Sequence, residues 1–244
     1  MNHLVLQKVF VLSGVGCVSL FFAAFVCADF VPPLSPALSA DSVAAHYRAH
    51  QTGVLLGGVL MMLSSLFYAA FVAVISAQMR RIPSASPAAT YAQLVAGAFA
   101  CLTFFLPALL FIVTGFRPER DPATTQALND MAWIWLVIAW PPFLTQYWSF
   151  SYAVLADRRA EPLFPRWFAY LNIWAVFCYM PATLLPFFKT GPFAWNGFIV
   201  FWIPALVFVV QFIVNTVMLF RAVDQVDRDE SVGADGNTLV GLGV

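Results

Sequence analysis

The three histidines are the side chains best able to do chemistry in this sequence, and their positions limit which chemistry that can be. His3, His46 and His50 all lie outside the long apolar stretches. Haem ligation by two histidines inside a bilayer is therefore excluded, as is the histidine-rich di-iron site of membrane hydroxylases. His46 and His50 stand one turn apart on a predicted helix, which Ser39 caps. Because two ligands without a third do not define a zinc site, the sequence predicts no metal.

The cysteines and small nucleophiles give no sign of enzymatic chemistry. Cys17, Cys27, Cys101 and Cys178 all lie in apolar stretches, and none forms a CxxC pair. A thiol in apolar surroundings is unreactive, so we interpret these residues as structural. The sequence contains neither a serine nucleophile elbow nor a glycine-rich phosphate loop. It therefore predicts no cofactor and favours a protein that is not an enzyme.

Charged residues stand at the ends of the apolar stretches and not within them. Transport driven by protons or ions usually needs a charged group inside the membrane, and none is present. Asp29, Asp130 and Lys189 fall at predicted outer helix ends, where they could meet Asn196 and form a polar rim. Placement at helix ends explains each of them singly as well. An enzyme that uses Asp130 or Lys189 as acid or base is the least favoured interpretation.

Hydrophobic composition decides the fold class. Hydrophobic residues make up 61% of the chain and charged residues 10%, whereas soluble domains carry about 25% charged residues. Each apolar stretch has the ~20 residues that a helix needs to cross a bilayer. The stretches are residues 9–28, 53–77, 91–116, 131–155, 167–188 and 198–220. The sequence therefore predicts an all-α polytopic membrane protein with six transmembrane helices.

A weak internal repeat bears on how these helices pair. Arg80 and Pro107 in one half correspond to Arg158 and Pro181 in the other. Taken as a true repeat, the pattern predicts that the six helices form three helical hairpins. Independent use of arginine stops and proline kinks is an equally good explanation.

The distribution of basic residues predicts the orientation. With the N-terminus inside, eight basic residues from Lys8 to Arg228 lie on the cytoplasmic side and four on the other. Both termini are therefore predicted to be cytoplasmic. The first apolar stretch is too long for a cleavable signal, whose core spans ~7–15 residues. Residues 1–221 form the predicted membrane domain, and the acidic, glycine-rich residues 222–244 a disordered cytoplasmic tail.

Prolines within the apolar stretches predict an internal space. A proline removes a backbone donor and clashes with the carbonyl four residues earlier. In lipid the freed carbonyl must find another partner, so such kinks usually face protein or trapped water. We expect helices three to six to bow around a central space in the outer half of the membrane. The prolines are Pro107, Pro141, Pro142, Pro181, Pro186 and Pro204.

Neutral amides and indoles could line this space and bind a lipophilic molecule. The alternative is that the amides fix helix packing and that the indoles act as interfacial anchors. The predicted ligand-binding residues are Gln93, Trp140, Gln146, Trp148, Asn172, Trp174, Gln211 and Asn215.

Several motifs give the chain a family resemblance. They are PPLSP at residues 32–36, QMRRI at 78–82, FPRW at 164–167 and FKTGPFAWNG at 188–197. With these motifs the chain resembles an uncharacterised family of six-helix bacterial inner-membrane proteins from actinobacteria and proteobacteria that degrade hydrophobic compounds. The resemblance covers about Pro32 to Ala222 and implies an inner-membrane location. It implies no activity and no catalytic residues.

Two functional hypotheses follow. The leading one is a membrane protein that binds or passes a lipophilic small molecule through the aromatic pocket. Its rival is a non-catalytic subunit or scaffold that packs against partner helices, in a homo- or hetero-oligomer. Membrane lipid is the expected surrounding in both. Basic and acidic residues number 12 each, so no strongly basic surface indicates a nucleic-acid partner.

Overall fold

The computed structural model describes the backbone of residues 3–240 and the side chains up to residue 225. Within this part the regular elements are all helical, and no strand is present. The α-helices are α1 (His3–Cys27), α2 (Ala40–Ala49), α3 (Gln51–Met79), α4 (Pro87–Ala100), α5 (Leu102–Phe116), α6 (Pro122–Ile138), α7 (Pro141–Ala156), α8 (Arg166–Tyr179) and α9 (Ile203–Val240). A 3-10 segment (Met180–Phe187) follows α8, and a π-helical turn (Phe198–Trp202) precedes α9.

Six helical units are long and apolar enough to cross a membrane, as the sequence predicts. In chain order, spans 1 to 6 are His3–Cys27, Gln51–Met79, Pro87–Phe116, Pro122–Ala156, Arg166–Phe187 and Phe198–Gln225. The chain is thus an all-helical, multi-pass membrane protein. Spans 3 to 6 are each built from two shorter elements, whereas spans 1 and 2 are single helices.

Both ends of the membrane domain lie at the same end of the bundle. Lys8 near the start of α1 forms a 3.0 Å ion pair with Asp224 on α9. Arg81, just after α3, donates a 2.6 Å hydrogen bond to the carbonyl of Ala222 on α9. We call this the Arg81 end, and the opposite one, which carries α2, the α2 end. The compartment that each end faces stays a prediction.

Glycines let α1 and α3 pack with their backbones in close contact. A Cβ atom on Gly53 would lie 2.1 Å from the carbonyl oxygen of Cys27, and one on Gly57 would lie 2.5 Å from that of Ala24. Gly58 meets a side chain of α5 in the same way. These glycines therefore form a small-residue face that packs against other helices of the same chain.

The predicted irregularities occur in spans 3 to 6. Span 3 has a turn at Cys101, span 4 is interrupted before Pro141, and the helix of span 5 tightens to 3-10 geometry from Met180. Span 6 begins with the π-helical turn, which ends at Trp202, two residues before Pro204. Prolines and local changes of helix type explain such breaks, because they interrupt the regular backbone ladder.

Side chains from neighbouring spans satisfy carbonyls near these breaks. The hydroxyl of Thr103 donates to the carbonyl of Ala139 over 3.3 Å. The indole of Trp135 donates to the carbonyl of Leu102 over 3.2 Å. Spans 3 and 4 therefore compensate for each other's interruptions, as expected for irregular backbone away from water.

The last helix continues beyond the membrane domain. It extends to Val240 and so includes most of the segment for which the sequence predicts a tail. Side chains from residue 226 onward, and all of residues 241–244, lie outside the described part. The disordered tail therefore stays a prediction.

Candidate functional site

A cavity of about 120 Å³ lies where the breaks of spans 3 to 6 face the last two turns of α1. Nine of its lining residues are aromatic: Phe21, Phe22, Phe25, Phe104, Trp140, Phe143, Tyr179, Phe201 and Phe208. The others are Thr103, Leu136, Val137, Ala139, Ala182, Val200, Pro204 and Ala205. The proline breaks thus surround a space with an almost wholly apolar wall.

The polar groups of this wall already have partners. The Thr103 hydroxyl donates to a backbone carbonyl, and the Trp140 indole donates to the hydroxyl of Thr183 over 3.1 Å. The Tyr179 hydroxyl donates to Gln211 over 2.7 Å. The cavity therefore offers a ligand mainly ring faces, ring edges and methyl groups, which favour an apolar molecule.

Small residues make the space, and part of its wall faces outward. Ala139, Ala182 and Ala205 stand where larger side chains would fill the cavity. Phe201 on the π-helical turn and Phe22 on α1 are only partly buried, so these two lining residues also reach the surface of the protein. By comparison, an apolar cavity of about 150 Å³ binds benzene, so the space here is slightly smaller than that of a known single-ring site.

The predicted indoles separate into two groups. Trp140 lines the cavity. Trp148 and Trp174 face outward instead, with 45% and 70% of their surface exposed, and both contact the ring of Phe177. The sequence does not distinguish these orientations, because a membrane helix meets apolar surroundings on its lipid side as well as inside the protein.

Two predicted glutamines lie in separate pairs that join helices. Gln93 on α4 accepts a short hydrogen bond from Ser76 on α3. Gln146 on α7 accepts a 2.6 Å hydrogen bond from the hydroxyl of Tyr68 on α3. The amide nitrogens of both glutamines are buried and have no hydrogen-bond partner among the described residues. Neither glutamine lines the cavity.

The other three predicted amides form one network between α8 and α9. Asn172 accepts hydrogen bonds from Gln211 and Asn215, each 2.9 Å long. Asn172 also donates to the carbonyl of Phe168 on its own helix over 3.0 Å. Tyr179 links this network to the cavity through its bond to Gln211. As ligand-binding residues the amides remain predictions, and in the structure they connect helices.

Three members of the predicted polar rim lie at the α2 end. Tyr47 on α2 donates a 3.1 Å hydrogen bond to Asn129, whose amide donates to Asp130 over 3.3 Å. Burial raises the pKa of Tyr47 well above its ordinary value, and the charge of Asp130 adds to this effect. The exposed Lys189 interacts electrostatically with Asp130, and Asn196 is half-buried.

Asp29, the fourth rim residue, lies beside both histidines of α2. Its carboxylate is 3.4 Å from Nε2 of His50, and the rings of His46 and His50 stack with centroids 4.7 Å apart. One ligand atom from each of the three residues lies within 4.8 Å of the others. Ser39 caps α2, as predicted, by accepting a 3.3 Å hydrogen bond from the backbone of Ser42.

The backbone at the end of α1 positions Asp29 and His46 in this cluster. Asp29 has a φ of +54° in the turn after α1, a conformation that aspartate and asparagine tolerate better than most residues. His46 contacts the carbonyl of Ala28 through Nε2 at 3.1 Å. Burial lowers the pKa of His46 below its ordinary value, which favours the neutral imidazole at neutral pH. The sequence does not predict that Asp29 lies beside the two histidines, because this proximity depends on a tertiary contact across the turn.

Comparison of the chain with protein-family models, with curated proteins and with solved structures gives no match. The family resemblance of the sequence motifs therefore stays a prediction. The geometry of the chain's own residues is the basis for a functional proposal.

Proposed function

We propose that this membrane protein binds a small lipophilic molecule, of about the size of one aromatic ring, in the cavity among spans 1 and 3 to 6. The proposal rests on the volume of the cavity together with the apolar character of its wall. The cavity has about 120 Å³ of space and nine aromatic lining residues. A filled core has few voids larger than a water molecule. An apolar void of this size therefore has room for an apolar guest.

The surroundings of the cavity support this ligand class. Among the described residues, no Asp, Glu, Lys, Arg or His side chain lines the cavity, so these residues offer a charged solute no partner for its charge. Phe22 and Phe201, the lining residues that reach the protein surface, mark the route of access from the membrane, where lipophilic compounds concentrate. We place the protein in a bacterial inner membrane with both termini in the cytoplasm and three helical hairpins, following the positive residues, the motifs and the repeat.

Photolabelling with a small apolar probe tests whether the cavity takes up a guest. The probe is 3-trifluoromethyl-3-phenyldiazirine, a single-ring apolar compound, applied to the full chain in lipid nanodiscs. We expect saturable labelling of cavity residues, mapped by mass spectrometry to peptides that contain Phe104 or Trp140. Excess toluene should reduce that labelling at least about 10-fold, because both compounds compete for one site.

A cavity-filling variant provides the matched comparison. Ala182→Leu adds a larger side chain to a position that is only 2% exposed and lines the cavity. It should abolish the saturable labelling, whereas Ala98→Leu, on the exposed face of α4, should leave it intact. Labelling that is not saturable, or that is equal in the two variants, would disprove the proposal. Native mass spectrometry of the same samples separates a retained lipid chain from a smaller guest.

The exposed aromatic face of α7 and α8 favours a second candidate function. Its rings are at least 45% exposed and cover one side of spans 4 and 5: Trp148, Tyr152, Trp167, Tyr170, Trp174 and Phe177. Such a face fits a subunit that packs against helices of another protein, and it fits direct contact with lipid. A stoichiometric protein partner in native mass spectrometry, lost in a Trp148→Ala/Trp174→Ala double variant, would support the subunit. A partner-free protein would count against it.

A further inference from the structure

We propose that Asp29, His46 and His50 form a binding site for a divalent transition-metal ion at the α2 end of the protein. The site is separate from the apolar cavity and does not depend on the function proposed for it. Two imidazoles and one carboxylate are a common ligand set for zinc and for other first-row metals. The remaining arguments concern the distances, the tautomer and the access to this cluster.

The distances are close to those of a metal site. Two ligand atoms bound to one tetrahedral zinc at about 2.0–2.1 Å are roughly 3.4 Å apart. Nε2 of His50 and Oδ2 of Asp29 are already 3.4 Å apart. The three ligand atoms lie within 4.8 Å of one another, and the i, i+4 spacing of the histidines keeps both rings on one face of the chain. The three side chains therefore lie close enough together for one ion to be bound among them once the side chains adjust.

The contact of His46 with Ala28 selects the tautomer that a metal needs. Nε2 of His46 lies 3.1 Å from the carbonyl oxygen of Ala28. A carbonyl can only accept, so the proton of the neutral ring resides on Nε2 and the lone pair on Nδ1. Histidine ligands typically donate their second ring N–H to such a carbonyl, which fixes the orientation of the ring. Phe30 stacks on the same ring with a centroid distance of 5.4 Å and limits its rotation further.

The cluster is accessible from the aqueous side of the α2 end. The Asp29 side chain is 61% exposed and that of His50 is 41% exposed. Three protein ligands with open access leave a coordination position for water or for a small anionic solute, as in zinc sites that exchange ligands. Imidazole ligands favour zinc, copper or nickel over magnesium or calcium, which prefer oxygen ligands.

Zinc binding tests the proposal on the full chain, purified in detergent through a tag without histidine and stripped with a chelator. We expect one equivalent of Zn²⁺ to bind, as measured by competition with a chromophoric indicator. His46→Gln and His50→Gln should each weaken binding at least about 10-fold. Asp29→Asn should weaken it comparably, and since asparagine tolerates the positive φ, the turn should persist. Co²⁺ should show the intense visible absorption of a four-coordinate site in the wild type and not in the His46→Gln, His50→Gln or Asp29→Asn variants.

Matched substitutions of the same residue types serve as controls. His3→Gln removes a histidine at the opposite end of the bundle, and Asp41→Asn removes an exposed carboxylate from the first turn of α2. Both should bind zinc like the wild type. Unfolding midpoints establish that every variant is folded. Equal zinc affinity in the His46→Gln and wild-type proteins, or no wild-type binding at about 100 μM zinc, would overturn the proposal.

Discussion

At the scale of single residues, Asp157 is a buried carboxylate whose charge the fold satisfies completely. It lies between spans 4 and 5, where its side chain accepts from Nε and Nη2 of Arg159 at 2.9 and 2.5 Å. The backbone nitrogen of Leu163 donates to it at 3.0 Å. These hydrogen bonds, first of all those from Arg159, lower the pKa of Asp157 from 3.8 to about 2. The connection between α7 and α8 is thus organised around one ionised side chain.

This arrangement predicts a pH dependence of stability. Because the pKa is lower in the folded state, the carboxylate stabilises the fold above pH 3.8, and this contribution is lost as the pH falls through about 2. Asp157→Asn should lower the free energy of unfolding at pH 7 by about 1–2 kcal/mol. This range already allows for solvent screening at the partly exposed Arg159. It should also flatten the acid limb of the curve, measured by unfolding in mixed micelles. Glu161→Gln, an exposed change in the same connection, should leave the curve unchanged.

The position of Asp29 beside the two histidines could not be predicted from the sequence. Its position at the end of the first apolar stretch predicts a rim residue, and the two histidines are predicted to lie on one helix with too few ligands for a metal. The structure brings these separate observations together through a turn in which Asp29 has a positive φ. Neither hydropathy nor spacing encodes that turn, so the third ligand becomes visible only in three dimensions.

At the scale of helices, the contact of α1 with α3 requires glycine at two positions. A methyl group on Gly53 would be 2.1 Å from a backbone oxygen, which cannot rotate away. Gly53→Ala should therefore lower the free energy of unfolding by about 1–3 kcal/mol. Gly115→Ala is the comparison, since its nearest neighbour is a side-chain methyl of Val54 at 3.2 Å, which needs to move by only a few tenths of an ångström. It should be clearly less destabilising than Gly53→Ala, because alanine also favours the helix by up to ~1 kcal/mol over glycine. Equal effects in micelle unfolding would contradict this account.

The amide network between α8 and α9 allows a different test. Asn172→Leu removes the acceptor of two side-chain hydrogen bonds, from Gln211 and Asn215. Hydrogen bonds between membrane helices average about 0.6 kcal/mol, so we expect a loss of about 1–2 kcal/mol. Gln211→Leu should be less harmful in the Asn172→Leu background than in the wild type, since the two residues share a bond. Strictly additive effects in the double-mutant cycle would show that the network contributes only packing.

The sequence predicts where the helices are interrupted better than it predicts which side chains face the interior. Proline chemistry alone predicts irregular spans 3 to 6, and Pro141 and Pro204 do lie at or next to interruptions. The direction of an indole is another matter, because both the interior and the lipid are apolar. Trp140 faces the cavity and Trp174 faces outward, although both occur in similar aromatic contexts in the sequence.

At the scale of the whole molecule, hydropathy predicts the six spans but not the walls of the cavity. The expected pocket drew only on spans 3 to 6, where prolines and polar residues are concentrated. The structure adds Phe21, Phe22 and Phe25 from α1, a helix without proline or amide signals toward the cavity. Which helix closes a space depends on the packing of distant segments, and here the glycines of α3 position α1.

The two ends of the helical bundle are predicted to face opposite sides of the membrane. Six spans return the chain to its starting side, and the pairing of Lys8 with Asp224 connects the first and last spans there. The Arg81 end carries most of the basic residues, which favours the cytoplasm. In a background without native cysteines, Ala37→Cys should therefore react with a membrane-impermeant maleimide in intact spheroplasts. Glu161→Cys should react only after permeabilisation. The reverse pattern would invert the orientation and would place the proposed metal site in the cytoplasm.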